Sequence, residues 1–141
     1  MQSEAGIVKG RKAEIKAVDG ALRAVPSVPK GMPKRAAAEW RKVLGVLVSE
    51  SKIAAHELPI VEAYCRVVAH IEDCEAAIAA DGMTFVSPSG ELKRRPETML
   101  LKEYHATLRQ MANELGLTPA SRGKNKGGAV GTDEDADLGD I

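Results

Sequence analysis

The side chains able to carry catalysis or hold a metal are few and scattered. His56, His70 and His105 stand apart from one another, and a lone helical histidine is usually a surface or satisfied core residue. Glu72, Asp73 and Glu75 lie close in sequence but read as carboxylates on one solvated helix face. Cys65 and Cys74 are nine positions apart in what reads as one helix, about 13 Å along its axis and on roughly opposite sides. They cannot bridge each other and read as buried thiols. No CxxC pair, phosphate-cradling GxxxxGK[ST] loop or GxSxG nucleophile turn occurs. These absences predict a protein that is not an enzyme, with no metal, no cofactor and no small-molecule substrate.

What remains is ionic recognition. Formal net charge is zero, with 20 basic and 20 acidic residues, but the two signs are segregated. Up to Arg35 the basic residues are Lys9, Arg11, Lys12, Lys16, Arg23, Lys30, Lys34 and Arg35, against Glu4, Glu14 and Asp19. The end of the chain carries Asp133, Glu134, Asp135, Asp137 and Asp140, with no basic residue after Lys126. A basic arm and an acidic tail on a neutral body fit either two different partners or two solubilising ends. Two further basic groups are Lys93-Arg94-Arg95 and the trio Arg122, Lys124 and Lys126. The Lys93 group could be a partner contact or a strand edge kept from pairing by charge.

The elements that must position these charges read as helices. Aromatic residues make up only 3% of the chain, so the core leans on aliphatic side chains and helix-on-helix packing. Residues 1–32 read as an arm that is disordered or orders only on binding, closed by Pro26, Pro29, Gly31 and Pro33. A first helix starts near Pro33, with Ala37, Trp40, Val43, Leu44 and Leu47 on one face. A second runs from about Ala55 to Asp81, with Val61, Tyr64, Val68, Ile71 and Ile78 spaced by threes and fours up to Ile71 and Gly82 as its stop. Residues 83–95 read as a β-hairpin turning at Ser87-Pro88-Ser89-Gly90. A third helix starts at Pro96 and carries Leu101, Tyr104, Leu108, Met111 and Leu115 at seam spacing. That stripe, Trp40 and the second helix's stripe are candidates for core or for contact with a neighbouring subunit. The expected fold is all-α: a three-helix core over 33–120 with a small β-hairpin insert, a flexible basic N-terminal arm, and a disordered acidic tail from 121. No run long enough to span a membrane is visible.

The run Leu115-Gly116-Leu117-Thr118-Pro119-Ala120-Ser121-Arg122-Gly123-Lys124, closing a helix before a Gly-rich acidic tail, resembles the C-terminal signature of phage terminase small subunits of the P27 family. The order of parts agrees: a Pro-rich lead-in at Pro26 to Pro33, a helix with Trp40, a long helix with Tyr64-Cys65, an insert after Gly82, and a last helix. The chain differs at Ile53-Ala54-Ala55-His56-Glu57, where family members commonly carry Leu-Thr and an Asp, and at Arg95-Pro96, where Asn-Pro is common. The resemblance implies a homo-oligomeric ring that recognises viral double-stranded DNA in the host cell cytoplasm. It also implies delivery of that DNA to a large subunit holding the ATPase and nuclease. The charge layout fits: the basic residues could neutralise phosphates, giving salt-sensitive affinity, and the acidic tail could dock on the large subunit. Two other readings stand beside it. One is a dimeric helix-turn-helix-type regulator, allowed by the break at 49–54. The other is a scaffold without DNA contact.

Overall fold

The structure, a computed structural model, describes residues 17–126, with only the backbone described at 124–126. Helix α1 is Lys34–Ser49. Pro33 holds an extended backbone just before it, and its carbonyl accepts the Ala37 N–H at 2.8 Å. The helix ends where Ser51 turns left-handed at φ 55°. The Lys52 N–H then reaches back to the Leu47 carbonyl (2.9 Å), satisfying an end carbonyl that the helix itself cannot.

A single 3₁₀ turn, Ala55–Glu57, leads into helix α2, Leu58–Asp81. No Ser, Thr or Asp caps this start. The Glu57 carboxylate accepts the Ala54 N–H at 2.9 Å instead, and Pro59 sits in the first turn, where its missing N–H costs nothing. Gly82, at φ 86°, ends α2. Strands β1 (Thr84–Val86) and β2 (Leu92–Arg94) pair antiparallel, with Thr84 opposite Arg94, Phe85 opposite Lys93 and Val86 opposite Leu92. The Arg95 N–H closes the hairpin neck on the Met83 carbonyl at 2.8 Å.

Helix α3 is Pro96–Glu114. Its end explains the Leu-Gly-Leu-Thr-Pro-x-Ser run physically. Gly116 is left-handed at φ 71°, its N–H meets the Asn113 carbonyl and the Leu117 N–H meets the Ala112 carbonyl. That pair of bonds is the Schellman stop. Thr118 then caps helix α4, Pro119–Lys126: its hydroxyl accepts the Ser121 N–H at 3.0 Å, and the Ser121 hydroxyl accepts the Thr118 N–H at 3.2 Å. This is a capping box with Ser in place of Glu.

Helix α2 lies between α1 and α3, which scarcely meet each other. The core is Ala36, Trp40, Val43, Leu44 and Leu47 of α1, Ile53 of the connection, and Val61, Cys65 and Ala69 of α2. Leu115 and Leu117 pack against it from the α3 stop. The mostly helical architecture with its two-stranded insert is as the sequence predicts. Two boundaries differ. Residues 17–32, expected to lack a place of their own, form a strap on the core. The Leu22 N–H bonds the Ile53 carbonyl (2.8 Å), the Trp40 indole N–H bonds the Pro26 carbonyl (3.0 Å), and Leu22, Val28 and Met32 pack inward. The second difference is α4 itself. The chain expected to be irregular from Ser121 continues as helix to Lys126, because the capping box starts it.

Candidate nucleic-acid interface

The predicted basic contacts fall into three groups. Arg23, Lys30 and Lys34 are exposed on the strap and at the start of α1. Arg35 is held by its own chain, 3.1 Å from Glu39 and 3.5 Å from Glu72. Glu39 is 93% buried, and Arg35 is the cation that makes its burial tolerable. On the hairpin, Lys93 lies 3.8 Å from Glu91, and Arg94 meets the Met99 sulfur at 3.9 Å. Arg95 donates to the Asp81 carbonyl (3.0 Å) and covers the Phe85 ring at 5.6 Å, so it clasps hairpin to α2. Arg122 is exposed, with one long bond (3.5 Å) to the Leu117 carbonyl. Lys124 and Lys126 belong to α4. Lys9, Arg11, Lys12 and Lys16, and the acidic Asp133, Glu134, Asp135, Asp137 and Asp140, lie outside the described residues.

Two basic residues absent from those expectations are Arg41 and Lys42, both exposed on α1. Seven and eight positions after Lys34, they share its side of the helix, away from the buried Val43 and Leu47. They are only an adjacent pair in the sequence, and the helical period is what sets them on one side with Lys34.

The predicted core or interface residues separate cleanly. Trp40, Val61 and Ile71 are buried. Tyr64, Val68, Leu101, Tyr104, Leu108, Met111 and Leu115 are half-buried, and α3 contains no fully buried residue. Tyr104 stacks on His70 of α2 with ring centroids 5.2 Å apart. At the hairpin, Val86 and Leu92 face each other across the pair and are 66% and 68% exposed. Met83, Met99 and Leu100 are also in water.

No acid–base constellation is assembled among the described residues. Cys65 and Cys74 are free and buried, as expected. Burial, then the charge of Glu39, pushes the Cys65 thiol up to about 12, with Arg35 opposing. Burial, helped by Glu97, also raises Cys74. Neither thiol is therefore a ready nucleophile. Tyr64 is raised as well, by burial and then by Glu39. Among the described residues no group of His, Cys, Asp and Glu is placed to hold a metal ion, and no helix is long and apolar enough to cross a membrane.

No curated protein and no solved structure matches the chain. The family model described as "Phage terminase, small subunit" matches residues 36–130, from the first turn of α1 past the end of α4. That span holds α1, α2, the hairpin, α3 and the capped α4, with the Gly116–Ser121 stop inside it. On that match over most of its length, the chain belongs to the family of phage terminase small subunits, with a role in packaging phage DNA.

Proposed function

We propose that this small subunit is a non-catalytic, ring-forming member of the P27 group that recognises viral double-stranded DNA. It hands that DNA to the large ATPase and nuclease subunit in the host cytoplasm. The P27 assignment rests on the run from Leu115 to Lys124. One observation carries the assembly. The hairpin and the start of α3 leave Val86, Leu92, Met83, Met99 and Leu100 in water on a chain whose core is small. Such apolar surface is a liability in a monomer and an asset in an interface. A ring needs an interface that joins one patch to a different patch on the next copy, with a rotation that closes.

The basic arm supplies phosphate contacts, and the acidic tail supplies the contact with the large subunit. Light scattering of the purified chain tests the assembly: a closed multi-subunit species is expected. A lone particle that ignores duplex DNA at about 50 mM salt would overturn the reading, since phosphate-dominated binding is strongest at low salt. A dimer on a palindromic site would favour the helix-turn-helix-type regulator. Removing residues 128–141 is expected to leave assembly and DNA binding intact and to abolish stimulation of the large subunit's ATPase.

A further inference from the structure

We infer that the outer face of α1, centred on Arg41 and Lys42 with Lys34 one end along, is the surface that lies on the duplex sugar–phosphate backbone, Arg122 flanking it. This rests on the DNA-binding reading above and assigns it to a folded surface instead of leaving it to the arm alone. The exposed positions of α1 are Lys34, Ala38, Arg41, Lys42, Gly45, Val46 and Ser49. Every charge among them is positive. The one acidic residue of α1, Glu39, is turned inward and held by Arg35.

The other long helices differ. Helix α2 exposes Glu72, Asp73, Glu75 and Asp81, and its Arg66 is bound to Glu62 at 2.9 Å. Helix α3 mixes Lys102 and Arg109 with Glu103 and Glu114. A neutral chain thus sorts its folded charge by helix. A polyanion is complementary to one side of α1 and repelled by the exposed side of α2.

The shape of the face fits the same occupant. Lys34 and the Arg41–Lys42 pair are about 10–12 Å apart along the axis, and a duplex major groove is about 12 Å wide and admits a helix. Along this face only Ala38 lies between Lys34 and the Arg41–Lys42 pair; Gly45 follows the pair by one turn, with Val46 exposed beside it. A Cβ added at Gly45 would meet nothing, so no contact within the chain requires glycine there, although glycine weakens a helix interior. Small residues at Ala38 and Gly45, on either side of the pair, let a backbone approach closely while Lys34, Arg41 and Lys42 reach its phosphates. Lys42 and Arg122 line one groove with Glu39 and Glu50, which brings α4 beside α1. Both acids are neutralised locally, Glu39 by Arg35 and Glu50 by Lys52 at 3.6 Å.

The test uses the full chain with R41Q/K42Q and a generic duplex, titrated at several salt concentrations. Both side chains are exposed, so helical circular dichroism and the light-scattering mass stay at the wild-type values. Affinity is expected to fall about tenfold or more at 100 mM salt. The slope of log K against log salt is expected to shrink by about two, close to 0.9 per lost phosphate contact. A companion variant replaces Lys9, Arg11, Lys12 and Lys16 with Gln. If it loses all binding while R41Q/K42Q keeps wild-type affinity and slope, the arm alone holds DNA. The α1 assignment then falls and the DNA-binding reading stands. A loss of affinity with an unchanged slope in R41Q/K42Q also overturns the assignment, because no phosphate contact was removed. Wild-type chain with no salt-dependent binding sinks both.

Discussion

The two ends of α2 differ in depth. Around Val61 and Cys65 the helix is covered by α1 on one side, by the Leu115–Leu117 stop on another, and by the Ile53 connection that the strap crosses. Leu44, Leu47, Ile53, Val61 and Cys65 are fully buried there. Beyond His70 the same helix packs mainly on α3, with Arg35 of α1 reaching Glu72 (3.5 Å) and Arg95 reaching the Asp81 carbonyl at its end. Ile71 and Cys74 are the last buried positions, and the neighbouring Leu101 and Tyr104 of α3 remain half in water. Apolar residues are plentiful at both ends. The number of layers decides which are buried, and a short chain cannot supply a third layer everywhere. The thick end is a folding core. The thin end is a surface that its own chain leaves unfinished.

Leu44→Ala and Leu101→Ala break or sharpen that contrast most directly. Leu44 has no exposure, so its truncation removes transfer energy and leaves a cavity, a loss of about 2–5 kcal/mol. Leu101 is only partly buried and its site opens to water, so about 1 kcal/mol is expected. Urea denaturation at low protein concentration reads both. Equal losses would mean that the two ends are equally well packed.

The thick end also sets a pH limit. Burial first, and Glu39 next, hold the Cys65 thiol neutral up to about 12 in the folded chain, well above an ordinary thiol near 9. The unfolded chain therefore gives up this proton first as pH rises. The contribution of the neutral thiol is complete below about pH 9 and is lost between about 9 and about 12. Melting temperature is expected to be insensitive to this group at neutral pH and to fall above 9, with the fall reduced in C65A relative to its own neutral value. An identical alkaline decline in C65A would assign it to other groups.

A smaller effect is expected at the α3–α4 corner. Thr118→Ala removes one arm of the capping box, worth about 1 kcal/mol at a typical helix start. Because α4 is short, the loss should be local, with amide exchange at Ser121 and Arg122 quickening while Leu44 stays protected. Unchanged exchange would show that the Thr118–Ser121 pair does not hold the helix.

That corner marks where sequence reasoning ran out. The face Ala37, Trp40, Val43, Leu44 and Leu47 was legible because one helix at one period decides its burial. The hairpin was legible from its turn residues, and the stops at Gly82 and Gly116 from glycine's freedom to turn left-handed. The strap was not, because its bonds join Leu22 to Ile53 and Pro26 to Trp40, and no local pattern encodes such partners. Cys65 and Ala69 are core, yet small side chains leave little trace in a stripe drawn from large ones. Helix α4 was hidden by Gly123 and its polar run, although Thr118-Pro119-Ala120-Ser121 carries the start signal. Among the candidate contacts, the triplet Lys93-Arg94-Arg95 stands out in the sequence yet is partly tied up by the fold, whereas the pair Arg41-Lys42, set between the core residues Trp40 and Val43, is left exposed.

The thin end allows the smallest effect on the isolated fold and the most discriminating one. Val86 and Leu92 touch little beyond each other, being about two-thirds exposed. Replacing both with Thr puts β-branched side chains suited to strands at both positions and trades solvent-facing carbons for a hydroxyl at each. Stability of the dissociated chain should change by less than about 0.5 kcal/mol, as for other surface substitutions. If the face is buried between copies, the same pair of changes strips apolar area from every interface of the ring at once, and light scattering should show smaller species. An assembly of undiminished mass would place the contact elsewhere, on the half-buried Leu108 and Met111 stripe. Leu108→Asp would then be the variant that separates subunits, since an unpaired carboxylate is costly to bury.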